Sequence, residues 1–127
     1  MPTREIAIYD ESFEAAIDLT TKQYFGVKLH TVVGQVTLAG AGEAIGVLQN
    51  KPNVGESAQV RLFGLSRMVM AGVHGGPASA IVLTSDANGK GIADSIGDLA
   101  LGRAVEPSTG ADEVRTILLI GLVRRHA

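Results

Sequence analysis

Apolar and polar residues alternate with period two along much of the chain. Phe25, Val27 and Leu29 oppose Tyr24, Gly26 and Lys28. Ala58, Val60 and Leu62 oppose Gln59, Arg61 and Phe63, and Leu65, Arg67 and Val69 oppose Ser66, Met68 and Met70. Such alternation marks strands with one buried face. Residues 117–122 are apolar on both faces and read as a central strand. Between the runs lie turn formers: Val33-Gly34-Gln35, Asn50-Lys51-Pro52-Asn53, Asp86-Ala87-Asn88-Gly89 and Pro107-Ser108-Thr109-Gly110. Asn88-Gly89 is the strongest hairpin signal. Residues 12–19, with Ser12 as a possible N-cap, fit a short helix or an extended segment equally well. The pattern predicts a mainly β domain of short strands.

The stretch Val36-Thr-Leu-Ala-Gly-Ala-Gly-Glu-Ala-Ile-Gly46 has the look of a dinucleotide-binding turn. That use requires a helix after the glycines, to hold a pyrophosphate at its N-terminus. Pro52 and Gly55 would break such a helix within two turns. The turn pattern also recurs about 55 residues later. Gly34 matches Gly89, Gly42-Glu43 matches Gly97-Asp98, Gly46 matches Gly102, Pro52 matches Pro107, and Gly55 matches Gly110; Val60-Arg61 is aligned with Val114-Arg115. A duplicated β unit explains this better than a duplicated cofactor loop. The expectation is a compact barrel-like or β-tulip-like domain over residues 15–127, built from quasi-repeats near 22–64 and 77–121. Residues 1–14 lie outside both repeats and read as an extended N-terminal arm.

Composition narrows the function. The chain has 127 residues, a formal net charge of −2 and no cysteine. No basic field is present to hold nucleic acid, and no thiolate can bind metal. The longest apolar run is far shorter than the roughly 20 residues of a membrane helix, and the alternating N-terminus is unlike a signal peptide. His30, His74 and His126 lack metal-ligand spacing. Asp86-Ala-Asn-Gly-Lys90 begins like a calcium loop, but Lys90 would repel the ion. Glu43 and Asp98 are repeat-equivalent carboxylates beside turn glycines and read as solvated. His74-Gly75-Gly76-Pro77 resembles an esterase oxyanion loop, with Ser66 or Ser79 as candidate nucleophiles, yet no G-x-S-x-G turn accompanies it. No catalytic residue, cofactor site or metal site is assigned, and no enzymatic activity is expected. Met68, Met70 and Val73 form a candidate self-association patch. A soluble ligand-binding β-barrel and a small esterase-like enzyme are the competing readings.

The order of motifs has a resemblance of its own. Asp18–Leu29 is followed by Ala39-Gly-Ala-Gly-Glu43, Ile45–Pro52, Gly55-Glu56 and Val60–Gly64. Then come Leu83–Lys90, Ile96-Gly-Asp98 and Leu101-Gly-Arg-Ala104. This series resembles the head-decoration, or capsid cement, proteins of tailed bacteriophages. The resemblance implies a non-enzymatic virion protein, assembled in the host cytoplasm. Such a protein sits on the outer surface of the mature head, commonly as a homotrimer, and clamps adjacent major capsid subunits against the pressure of packaged DNA. Direct contact with nucleic acid or membrane is not expected. In the arm, Ile6, Ile8, Tyr9 and Phe13 are the candidate capsid contacts, by strand addition to a neighbouring sheet.

Overall fold

The computed structural model describes residues 7–73, 82–93 and 99–124. Nine strands are present among them: β1 (Ala7–Ala15), β2 (Gly26–Leu29), β3 (Gln35–Leu38), β4 (Gly46–Leu48), β5 (Ser57–Val69), β6 (Val82–Ser85), β7 (Gly91–Ala93), β8 (Leu99–Ala104) and β9 (Val114–Arg124). They form one sheet in the order β1-β3-β2-β4-β5-β9-β8-β6-β7, and β1 also pairs with β5. That extra pairing closes a five-stranded barrel, β1-β3-β2-β4-β5. The mainly β expectation is met, and residues 12–15 are strand rather than helix.

The strand order reads the same from either side of the β5–β9 pair. In the first half β2 pairs antiparallel with β3 and β4, and β4 pairs with β5. In the second, β6 pairs antiparallel with β7 and β8, and β8 pairs with β9. Registers agree as well. Val27 lies opposite Gly46 and Leu83 opposite Gly102. Both glycines sit under a crossing backbone: a Cβ on Gly46 would stand 2.6 Å from the Arg61 carbonyl oxygen, and one on Gly102 2.2 Å from that of Leu118.

The pairing redraws two parts of the expected repeat. First, Val47 lies opposite Arg61 while its counterpart Arg103 lies opposite Leu118. Val60-Arg61 therefore corresponds to Ile117-Leu118, not to Val114-Arg115. Second, the segment from Ala7 onward is a strand of the first barrel and belongs to the duplicated unit. Phe13 and Glu14 pair with Ala58 and Ser57, just as Met68 and Val69 pair with Arg115 and Val114. Ala15 bridges Val36 in parallel, and Met70 bridges Gly91 in parallel. The loop hydrogen bonds repeat too. The Ala15 and Met70 amides donate to the Glu56 and Glu113 carbonyls, and the Gly55 and Asp112 amides donate to the Ala15 and Met70 carbonyls. β1 is thus the counterpart of the second half of β5. One 13-residue strand ends the first unit and begins the second. Gly64, with φ of 114°, sits at that changeover, where it pairs with Leu119 of β9 and Ala7 of β1.

Each half has its own core. Ala15, Leu19, Val27, Val36, Leu48, Ala58 and Val60 fill the first barrel, with Phe13, Leu38 and Leu62 packed against them. Met68, Met70, Leu83, Leu101, Ala104, Ile117 and Leu119 form the second cluster, joined by Ala39, Ala44, Val47 and Tyr24 from the first half. The alternation in β5 drives both. Its even-numbered residues point inward along the whole strand, so one strand face serves two cores.

Candidate functional site

The odd-numbered face of β5 and the even-numbered face of β9 form the outside of the ladder between the two halves. Leu65 lies opposite Leu118, and Phe63 opposite Ile120, so all four side chains share that outer face. Phe63 is 40% exposed and Leu118 37%, while Leu65 and Ile120 are half-buried. Tyr9 pairs with Phe63 across the β1–β5 ladder and is 50% exposed. Charged groups flank the strip. Arg61 Nε donates to Asp10 Oδ1 at 2.9 Å, and Arg103 pairs with Leu118 across β8–β9. An exposed run of aliphatic and aromatic groups between arginines has the composition of a protein-binding patch.

The residues singled out beforehand are scattered by the fold. Ile6 lies outside the described residues, and Ile8 lies within β1. Tyr9 belongs to the outer strip, and its hydroxyl donates to the Glu11 carboxylate; that hydrogen bond first, and the carboxylate's charge second, raise the Tyr9 pKa. Phe13 is half-buried against the first core. The self-association set is corrected: Met68 and Met70 are completely buried in the second core, Met68 on the inward face of β5 and Met70 just past its end, where it bridges Gly91. Val73 remains exposed. Phe63 and Leu118 were missed as surface residues. Strand alternation marks them as opposite to the core, but which strands lie side by side is a long-range property.

The candidate chemistry resolves into turns. Ser66 is fully buried; its hydroxyl accepts from Gln49 Nε2 at 2.9 Å and donates to the Arg67 carbonyl. Asp86 accepts from the amides of Asn88 and Lys90, a carboxylate closing its own turn, and Lys90 pairs with Asp112 at 2.5 Å. Glu43 accepts from Lys28 at 3.0 Å and from the Gly40 amide, which together hold its carboxyl below the usual range. Gly42 has φ of 70°, as its turn role requires. His30 Nδ1 accepts from the Val32 amide. Gly97, Asp98, His74–Pro77, Ser79 and His126 lie outside the described residues. Among the described residues, no group of three or more His, Asp or Glu side chains is placed to hold a metal.

No family model matches the chain, and no curated protein matches it. Among solved structures, the N base of the head fiber gp8.5 of bacteriophage phi29 is similar, with a TM-score of 0.68 at 13% identity. The likeness covers 92% of this chain and 98% of that one. At that identity it shows a shared fold.

Proposed function

We propose that the chain is a structural protein of a phage virion. It binds the outer surface of the mature head and cements adjacent major capsid subunits, with copies associating as homotrimers. One observation carries the reading: the likeness to a phage head-fiber base spans nearly the whole of both chains. The motif order, similar to that of head-decoration proteins, points the same way. The outer strip of Tyr9, Phe63, Leu65, Leu118 and Ile120 supplies a contact face. A protein that binds only the assembled lattice stabilises it by mass action, and many modest contacts add up over a shell. The ligand-barrel reading is disfavoured because side chains occupy the first barrel's interior. The esterase reading loses Ser66, whose hydroxyl is buried and hydrogen-bonded.

The test is co-sedimentation of purified protein with undecorated expanded heads and with precursor shells. Binding to expanded heads is expected, with precursor shells bound far less. Phe63→Asp and Leu118→Asp should each weaken it about tenfold or more. Val54→Asp, at an exposed turn position away from the strip, should not. Failure of the unaltered protein to bind any head would end this reading.

A further inference from the structure

Three asparagines lie in the chain, and only one precedes a glycine: Asn88-Gly89, at the β6–β7 tip. Asparagine is thermolabile because the backbone nitrogen of the next residue can attack its side-chain carbonyl carbon. Glycine leaves that nitrogen unhindered, since it carries no Cβ. Lys51 follows Asn50, and the branched Val54 follows Asn53. Asn50 is further held at both ends of its amide, by the Ser57 carbonyl and the Gln59 amide. Asn88 is exposed, and among the described residues its side chain makes no hydrogen bond. The equivalent tip of the first half carries Val33-Gly34, so this chemistry is confined to one of the two tips.

That tip joins the two halves. The Gly89 carbonyl accepts from the Gly26 amide at 2.7 Å, and the Ser85 carbonyl accepts from the Gly42 amide at 2.8 Å. The Ser85 hydroxyl donates to the Gly40 carbonyl at 2.7 Å and accepts from the Ala44 amide at 3.1 Å. A Cβ on Gly89 would stand 2.7 Å from Leu38 Cδ1, so the glycine backbone lies directly on the first half. The attacking nitrogen is therefore part of the joint. Its hydrogen is donated to the Asp86 carbonyl at 3.1 Å. Asp86 Oδ1 fixes the same turn by accepting from the Asn88 and Lys90 amides, both at 2.8 Å. Attack requires the Gly89 nitrogen to lose that hydrogen and its peptide plane to turn toward Asn88 Cγ. The seated tip opposes both.

We propose that Asn88 is a modification site gated by this joint: inert while the tip is seated on the first half, reactive when the tip lifts, and then a bar to reseating. Hydroxide takes the Gly89 amide proton and the nitrogen bonds to Asn88 Cγ. The C–N bond of the side-chain amide breaks, and ammonia leaves. Water then opens the resulting cyclic imide at either carbonyl, with no change of oxidation state. Opening at Cγ gives aspartate on an unaltered backbone. Opening at the main-chain carbonyl gives isoaspartate, whose chain runs through the β-carbon and is one methylene longer. The longer chain cannot set the Gly89 carbonyl on the Gly26 amide while Ser85 stays on Gly42. Local opening of a hairpin tip is much faster than this chemistry, so the rate follows the fraction of time the tip is lifted. The modification thus marks, and makes permanent, a separation of the two halves.

The unaltered protein and a free peptide of residues 82–93 are aged side by side in mildly alkaline buffer, and Asn88 is followed by peptide mass after proteolysis. The protein should react about tenfold or more slowly than the peptide, roughly 1.4 kcal/mol of seating. Ser85→Ala removes two bonds of the joint and leaves the turn's own bonds in place. It should react about tenfold faster than the unaltered protein. Gly46→Ala weakens the first barrel away from the tip, so it reports global unfolding, and it should not accelerate the reaction. Circular dichroism checks that both variants fold. Protein aged in urea and then refolded carries both products. Hydrogen exchange at the Gly26 and Gly42 amides should be about tenfold or more faster in the isoaspartate form than in the aspartate form. The peptide comparison and the exchange measurement need no variant, so they decide the matter even where Ser85→Ala does not fold. Four results would overturn the proposal: a protein that reacts as fast as the peptide; a folded Ser85→Ala with no acceleration; equal acceleration in Ser85→Ala and Gly46→Ala; or equal protection of Gly26 in the two product forms.

Discussion

The two halves reach the same topology with opposite chemistry at the point of closure. In the first, β1 runs beside β3 and Ala15 meets Val36. In the second, Met70 meets Gly91. The small residue and the larger one have changed places. A Cβ on Gly91 would lie 2.9 Å from Met70 Cε and 3.1 Å from the sulfurs of Met68 and Met70, so the thioethers occupy the space that Val36 fills in the other barrel. Methionine suits that task because it is unbranched and adapts to an irregular gap. The lesson is that a duplicated barrel conserves the volume at a crossing rather than the residue. The closures differ in extent too. β1 contributes a full ladder to β5 and two bridges to β3, whereas among the described residues the second half closes through a single bridge.

The largest effect should follow from removing β1. Deletion of residues 1–15 takes away the strand that closes the first barrel and exposes Val36, Ala58 and Val60, all fully or almost fully buried. The expected outcome is loss of cooperative thermal unfolding, with amide protection lost first over residues 26–61. Retention of the original melting temperature would show that β1 is an accessory strand after all. Next in size are the crossing glycines. Gly46→Ala and Gly102→Ala both force a methyl against a carbonyl, and overpacking of this kind costs about 1–3 kcal/mol. Gly102, with the closer approach, should show the larger shift in denaturant midpoint.

Turn glycines were legible in the sequence because turn chemistry is local. A left-handed φ favours glycine, and Gly34 and Gly89 take it in matched positions. The match failed where another residue took the conformation. The structural partner of Gly55 (φ 82°) is Asp112 (φ 65°), not Gly110. β1 was not legible as part of the repeat, for a different reason. Its counterpart is residues 64–70, the end of a longer strand and the residue after it, and Tyr9-Asp-Glu-Ser-Phe-Glu-Ala15 matches Gly64-Leu-Ser-Arg-Met-Val-Met70 at no aligned position. Strand pairing asks only for alternation and fit to neighbours. For the candidate site, alternation placed Phe63 opposite its inward neighbours. The meeting of Phe63 with Tyr9 and Ile120 depends on pairings across more than 50 residues, which no local pattern carries.

The closure can be transplanted to sharpen the comparison. Ala15→Met alone should overpack the first barrel at a cost of about 1–3 kcal/mol. Val36→Gly alone should destabilise it through a lost side chain and a weakened strand. Together they recreate the Met70–Gly91 arrangement, and the double variant should be more stable than the sum of the single effects by about 0.5–3 kcal/mol. Urea unfolding of the four proteins closes the cycle. Strict additivity would mean that the two closures are unrelated solutions.

The smallest expected effect is a difference in acid sensitivity at the turns that hold the closing residues. Glu56 and Glu113 occupy matched positions, each offering its carbonyl to Ala15 or Met70. Their carboxylates differ in company. Glu56 Oε1 accepts from the Asn53 amide. Glu113 accepts from the Thr109 hydroxyl at 2.6 Å and amide at 2.9 Å, and from Arg115 Nη2 at 2.6 Å and Nε at 2.9 Å. These donors, the Thr109 hydroxyl foremost, depress the Glu113 carboxyl from 4.5 to about 2. A carboxyl whose folded pKa is depressed binds fewer protons in the folded chain than in the unfolded one. Its contribution is therefore complete above pH 4.5 and lost as pH falls toward about 2. Urea midpoints measured from pH 6 downward should fall through that window. Glu113→Gln should make the fall shallower by removing the titrating group, leaving the slope from Glu43 and Asp18, whose carboxyls are also held low. Thr109→Val should do so in part. Glu56→Gln is the matched change in the first half and should leave the Glu113 contribution in place. An acid slope unchanged in Glu113→Gln would show that this cluster carries no part of the pH dependence.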